Sequence, residues 1–167
     1  RIQQSVGALG EIKRGLREKE DQKGAYYCSF PSFIDIYHVI GRMMERNGIS
    51  VYVMLCTLTD KNGEILMGTD RNKEASKALK IAICNSLRRG DFYTRYNESQ
   101  FLIMLSGTTL ESCQVISARI DRNFRKDFAG HFRINYYMAS VAELREESEE
   151  DPILFTSAVD CWGNTEK

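Results

Sequence analysis

The sequence has no excess of charge of either sign, because 23 lysine and arginine residues balance 23 aspartate and glutamate residues in a chain of 167. Domains that bind nucleic acid or anionic membranes through their own surface usually carry a basic excess. No apolar run approaches the roughly 20 residues that cross a bilayer, and the N-terminal segment lacks the apolar centre of a signal peptide. We therefore expect no membrane partner, and any contact with DNA only through a domain outside this chain.

Histidine is scarce and cysteine is dispersed along the chain. Two histidines, and five cysteines without a C-x-x-C pair, do not supply the closely spaced ligands of a zinc site. We therefore expect no metal and no other cofactor. Widely spaced cysteines in odd number indicate reduced thiols and a cytoplasmic protein, and Cys56, Cys84 and Cys113 lie in apolar patterns typical of small core residues.

Apolar periodicity predicts the order of the secondary-structure elements. From residue 49 onwards the pattern is strand, helix, strand, strand, helix, strand, over 49–58, 70–88, 91–96, 101–105, from 109 onwards, and 131–142. A helix over 31–46 precedes this series. The order is that of an α+β fold with a ferredoxin-like βαββαβ core, in which a mainly antiparallel sheet packs against helices.

Three segments are expected along the chain: a linker helix and lead-in over 1–29, a domain over 30–145, and an acidic spacer with a C-terminal segment over 146–167. The chain does not begin with methionine, so we expect it to be part of a longer protein. Glycines make the linker helix over 5–20 too weak to persist alone. We therefore expect it to pack on the domain or on a second copy through Val6, Leu9, Ile12 and Leu16.

The predicted hairpin carries a recognisable string, SLRRGDFYTRYNESQFLIML. It resembles the R-x-x-D-x-x-x-R-Y-G-G-D-E-F region of the GGDEF (diguanylate cyclase) family. Arg88 and Asp91 match the R-x-x-D pair, and Arg95-Tyr96 match the R-Y pair. The signature itself is matched by Asn97, Glu98, Ser99, Gln100 and Phe101.

The resemblance covers about residues 30–142. It is closer to degenerate GGDEF-like segments found in bacterial transcription regulators that carry a bacterial transcriptional activator domain. The resemblance therefore implies the fold of a cyclase domain in a regulatory protein.

The groups that the cyclase family uses for chemistry are absent from the matching positions. Two Mg²⁺ ions that bridge GTP phosphates require carboxylates, but the first-strand positions are Thr57 and Thr59 and the signature positions are Ser99 and Gln100. Asp60 lies one residue out of register. The resemblance therefore implies no catalytic residues, no metal and no enzyme activity.

The signature glycines are also replaced. Asn97 and Glu98 stand where the family has two glycines, and we expect Asn97 to adopt the positive φ of a tight turn. Glu98 would place a carboxylate beside an anionic substrate. The F-K-x-x-N-D stretch that contacts guanine and phosphate in the family has no counterpart in DKNGEILMGTD.

The pair Arg88 and Asp91 has two interpretations. In the family such a pair binds cyclic di-GMP, through an arginine fork and a carboxylate. The alternative is structural, because an arginine at the end of a helix and an aspartate after glycine are ordinary at those places.

Two hypotheses about function follow. The first is a non-catalytic regulatory domain that acts through contact with other domains of the same regulator, or as a homodimer. The second is a cyclic di-GMP receptor that uses Arg88 and Asp91. Residual cyclase activity is a third possibility, and the missing metal ligands argue against it.

Overall fold

The computed structural model describes residues 2–17, 24–66, 68–128 and 130–150, and the statements on side chains concern residues 6–146 within those ranges. The helices are α1 (Ile2–Leu16), α2 (Phe30–Asn47), α3 (Asp70–Ser86), α4 (Leu110–Phe128) and α5 (Val141–Glu150). The strands are β1 (Tyr26–Cys28), β2 (Val51–Asp60), β3 (Phe92–Asn97), β4 (Gln100–Ser106) and β5 (Phe132–Ser140). In this part of the chain no helix is both long and apolar enough to span a membrane.

The strands form one sheet in the order β1, β3, β4, β2, β5. β2 pairs antiparallel with β4 and β5, and β3 pairs antiparallel with β4. The last four strands and the helices between them therefore confirm the predicted ferredoxin-like βαββαβ core. The short strand β1 is absent from the predicted order, and it adds a parallel edge beside β3.

Helices cover both faces of the sheet. One apolar cluster, which includes Leu79 of α3 and Ile120 of α4, lies on one face. The other cluster includes Phe33 of α2 and Leu144 of α5. Because β2 and β4 contribute side chains to both clusters, their sequences are continuous apolar runs rather than alternating ones.

The ends of the helices are fixed by local hydrogen bonds. The Ser29 side chain accepts from the Ser32 amide at the start of α2, and Gly48, at a φ of 61°, ends this helix. At α3 the N-cap is Thr69, whose side chain accepts from the Asn72 amide. Asp70 is the first helical residue and not the cap.

The acidic stretch after β5 is helical where it was expected to be a spacer, because residues 141–150 form α5. Val141 and Leu144 are buried, and Arg145 Nη2 donates to Glu45 Oε1 of α2 over 2.6 Å. Two apolar residues at helical spacing are enough to hold a short helix against the sheet. The expected boundary between 145 and 146 falls inside this helix, and the segment that begins at Pro152 lies outside the described residues.

The first helix begins and ends earlier than the predicted span of 5–20. Its apolar residues Val6, Leu9, Ile12 and Leu16 are all more than half exposed. Packing of this stripe on the domain is therefore not seen within the described chain, and packing on a second copy stays a prediction.

Candidate functional site

The tip of the β3–β4 hairpin carries the signature residues. Asn97 pairs with Gln100, so that Glu98 and Ser99 form the turn, and the pairing shifts register between Arg95 and Asn97. Asn97 does not have a positive φ, which makes that expectation wrong. Its side chain closes the turn instead, because Asn97 Oδ1 accepts from the Ser99 amide over 2.9 Å.

The tip lies directly beside the end of β2, as the resemblance implies. Thr57 is the register partner of Gln100, and Gln100 Nε2 donates to Thr57 Oγ1 over 3.2 Å. Asn97 Nδ2 in turn donates to Gln100 Oε1 over 2.7 Å. Thr57, Ser99 and Gln100 are all buried. The polar groups at this junction therefore satisfy one another.

The electrostatics of this junction do not suit divalent cations. Mg²⁺ prefers charged carboxylate oxygens in octahedral geometry, whereas the groups contributed by Thr57, Gln100 and Asn97 are neutral. Among the described residues no group of three or more His, Cys, Asp or Glu side chains could hold a metal ion. The donor set therefore does not fit the two ions that the cyclase family uses.

Thr59 and Asp60, at the end of β2, also use their side chains for hydrogen bonds within the fold. Thr59 is buried, and its hydroxyl donates to the Asp60 carbonyl over 3.0 Å. Asp60 Oδ1 accepts from the amides of Asn62 and Glu64 over 2.8 and 3.0 Å. Asp60 thus holds the turn that follows β2.

A loop and a helix close the other side of the tip. Ser99 Oγ donates to the Leu66 carbonyl over 3.3 Å, and Ser76 Oγ of α3 donates to the Glu98 carbonyl over 2.5 Å. Arg95 Nη1 donates to the same Ser76 hydroxyl over 2.8 Å. Ser76 lies on the buried face of α3 with Ala75 and Leu79, so a hydroxyl among apolar residues of that face is the sequence signal for this contact.

Arg95 and Glu98 are the charged residues nearest to this closure. The Arg95 guanidinium lies 4.9 Å from the centre of the Phe101 ring, which is within the range of a cation–π contact. Glu98 is half-buried, and its Oε1 has no hydrogen-bond partner among the described residues. A carboxylate at this place would repel a phosphate group.

Arg88 and Asp91 meet at the opposite end of the hairpin, which is about 20 Å away along six residues of strand. Asp91 is 1% exposed, and its Oδ2 accepts from the Arg88 amide over 3.0 Å. Arg88 Nε lies 3.6 Å from the same oxygen, and Arg88 Nη2 donates to the Ser106 carbonyl over 3.0 Å. The pair therefore shapes the entry to β3, while the Arg88 side chain remains 58% exposed.

The thiols are placed as core residues rather than as nucleophiles. Cys28, Cys56 and Cys113 are buried, and Cys84 is half-buried. Burial raises the pKa of the Cys28 thiol to about 11, and it also raises the pKa values of Cys56 and Cys113. Because nucleophilic cysteines need a lowered pKa, these three thiols are poor candidates for chemistry. Cys161 lies outside the described residues.

Comparisons with known proteins agree on the fold. No protein-family model and no curated protein matches this chain. Several solved structures match it. A DGC protein from Thermotoga maritima is 13% identical with a TM-score of 0.53, and the match covers 70% of this chain and 82% of that one.

Two structures of DgcB from Caulobacter crescentus, both in complex with c-di-GMP, are also similar. Its GGDEF domain is 12% identical, with a TM-score of 0.56 and coverage of 87% of this chain and 94% of that one. Its coiled coil and GGDEF domain is 11% identical, with a TM-score of 0.57 and coverage of 83% and 76%. Similarity at this level of identity is evidence of architecture, and this chain therefore has the fold of a GGDEF domain.

Proposed function

We propose that this chain is a non-catalytic regulatory domain of a cytoplasmic bacterial transcription regulator, of the degenerate GGDEF type, which acts through protein–protein or interdomain contact. The observation that carries the proposal is the neutral hydrogen-bonded junction of Thr57, Gln100 and Asn97. By the resemblance, Thr57 and Gln100 match positions at which a cyclase carries the carboxylates that hold metal ions. Electrostatic stabilisation by those ions dominates phosphoryl transfer, so a neutral junction argues against turnover.

The direct test is an assay for conversion of GTP to a cyclic dinucleotide. The full chain is incubated with Mg²⁺ or Mn²⁺, and an active GGDEF domain is assayed in parallel. We expect no product above background. Metal-dependent product that disappears when residues 97–100 are changed would contradict the proposal.

The contact surface that we assign to this function is the α1 stripe, defined as Val6, Leu9, Ile12 and Leu16. Leu9, Ile12 and Leu16 follow the spacing of three and then four residues that forms the seam of a coiled coil. Their exposure leaves this apolar face open to a partner. A DgcB structure with the same fold contains a coiled coil, which supports a second copy as that partner.

Association through α1 is tested with two matched variants. The change of Leu9→Asp with Ile12→Asp puts two carboxylates on the stripe, whereas Gly7→Asp with Gly10→Asp adds the same charge off the stripe. We expect the first variant to sediment as a monomer under conditions in which the parent and the second variant are dimers. A parent with the mass of a monomer at all concentrations would contradict the role of α1.

A second candidate function is a receptor for cyclic di-GMP. Exposed Arg88 beside buried Asp91 favours it, and similar structures were solved as complexes with this dinucleotide. Calorimetry of the full chain against cyclic dinucleotides and GTP distinguishes the two functions. Absence of heat with cyclic di-GMP at hundreds of micromolar would retire the receptor hypothesis.

A further inference from the structure

Helix α2 presents an apolar stripe to solvent, on the flank of the face that packs on the sheet. Val39 is 56% exposed and Met43 is 49% exposed, while Ile36 and Ile40 are half-buried against the core. These four residues, the α2 stripe, follow the spacing i, i+3, i+4 and i+7 of one helix face. The stripe is therefore continuous with the core and open on its outer side.

The neighbouring helix α5 does not cover this stripe. It contacts α2 at Glu45, through the ion pair with Arg145, and at Gly41, against which the Arg145 guanidinium lies so closely that a Cβ would overlap it. Gly41 and Glu45 point away from Val39 and Met43 around the helix axis. The exposed apolar side chains thus lie on the flank opposite to α5.

Charged residues border the stripe in an ordered way. Asp35 lies near its N-terminal end, and Arg42 and Arg46 lie near its C-terminal end; all three are exposed. All three lie on the same flank of the stripe, which a parallel two-fold pair would place against the opposite flank of the other helix, so that these charges would not meet. In an antiparallel pair, Asp35 of each copy lies beside Arg42 and Arg46 of the other, and the helix dipoles also oppose.

We propose that the α2 stripe docks antiparallel against the α2 stripe of a second copy of this chain. The contact is isologous, because a two-fold axis places the same residues on both sides. The inference rests on the proposed function. A stripe of four residues buries far less than the roughly 1,200 Å² of a stable interface, so the contact forms mainly when α1 holds two copies at an effective concentration of about 1 mM.

Cross-linking tests this arrangement. Val39→Cys places a thiol in the middle of the stripe, and Val115→Cys places one at an equally exposed valine of α4, which is 59% exposed against 56% for Val39. Both full-length variants and the parent are treated with a short thiol-specific cross-linker at about 1 mM chain, which matches the effective concentration of a tethered pair. The cross-linked cysteine is identified by peptide mass analysis. We expect at least fivefold more covalent dimer through Cys at 39 than through Cys at 115.

Charge reversal tests the antiparallel direction. Asp35→Arg in the Val39→Cys variant should reduce the cross-linked dimer severalfold, and adding Arg42→Asp with Arg46→Asp should restore it. Equal cross-linking at 39 and 115 would overturn the proposal. The chain concentration allows the stripe to be tested even if sedimentation shows that α1 does not dimerise, so failure of α1 and failure of α2 are distinguishable.

Discussion

At the tip of the β3–β4 hairpin, the neutral groups of buried Thr57 and Gln100 and of exposed Asn97 satisfy one another, whereas at its base a cation and a carboxylate remain in contact. The base keeps Arg88 exposed and Asp91 buried, with 3.6 Å between Arg88 Nε and Asp91 Oδ2. Both ends belong to the string that resembles the cyclase motif, yet only the base has charged residues at the positions where the family has a charged pair.

The two ends differ in how their buried polar groups are satisfied. Two carboxylates in the buried tip would need cations to offset their loss of hydration, whereas Ser99 and Gln100 let this end fold with its own hydrogen bonds. At the base, the Asp91 carboxylate accepts from the Arg88 amide, and it stabilises the fold without any ligand. At the tip the polar groups therefore hydrogen-bond within the fold, while the base combines a structural carboxylate with an exposed guanidinium.

The largest expected effect comes from restoring charge at the tip. Ser99→Asp with Gln100→Glu should lower the free energy of unfolding by about 3–5 kcal/mol at pH 7, because two carboxylates are then buried without a cation. It should not create cyclase activity, since Thr57 and Thr59 still supply no carboxylate. Chemical denaturation and the GTP assay measure the two outcomes.

The matched control for this change is Ser99→Ala with Gln100→Met. It removes the same hydrogen bonds without adding charge, and it should cost about 1–3 kcal/mol. If both variants lose the same stability, buried charge is not the cause. Turnover in the Asp and Glu variant would show that the alignment of β2 with the cyclase motif was misread.

A smaller loss is expected at the base. Asp91→Ala leaves the Arg88 amide without its acceptor and removes the ion pair, so the free energy of unfolding should fall by about 2–3 kcal/mol. Chemical denaturation of the variant and the parent measures it. A change below about 0.5 kcal/mol would show that this carboxylate is not needed by the fold.

The smallest effect on stability is expected for Arg88→Ala. Its ion pair is largely exposed, so the free energy of unfolding should change by less than about 1 kcal/mol. If cyclic di-GMP binds the parent, this variant should lose about 2 kcal/mol of binding free energy or more, because a charge-assisted contact is removed. A large loss of stability without any ligand binding would favour the purely structural interpretation of the pair.

Much of the fold could be predicted because its signals are local. The apolar run of β2 and the periodicity of α3 and α4 gave these elements and their order, and the order is that of the observed core. Two short elements were not predicted from the sequence. The edge strand β1 has only three residues. Helix α5 is held by the packing of Val141 and Leu144 in the core, and two apolar residues among many glutamates do not form a clear helical pattern in the sequence.

The candidate site divides in the same way. The matching positions of Thr57, Ser99 and Gln100 could be read from the sequence, and so could the absence of metal-binding carboxylates there. The contacts of Ser76 and of the Leu66 carbonyl with the hairpin tip could not be predicted, because these residues are far from the tip along the chain. The conformation of Asn97 was also misjudged, since its own side chain accepts the Ser99 amide and the turn needs no left-handed residue.

The sequence by itself determined which elements form and which chemical groups reach the hairpin, because helical and strand periodicity and residue identity are properties of neighbouring residues. Only the tertiary structure decided how those groups are used. At the tip, buried Gln100 donates a hydrogen bond to buried Thr57. At the base, the turn buries the Asp91 side chain and leaves the Arg88 side chain exposed to water. Hydrogen bonds between distant residues and the cost of removing charge from water depend on the folded neighbourhood, and no stretch of sequence contains that neighbourhood.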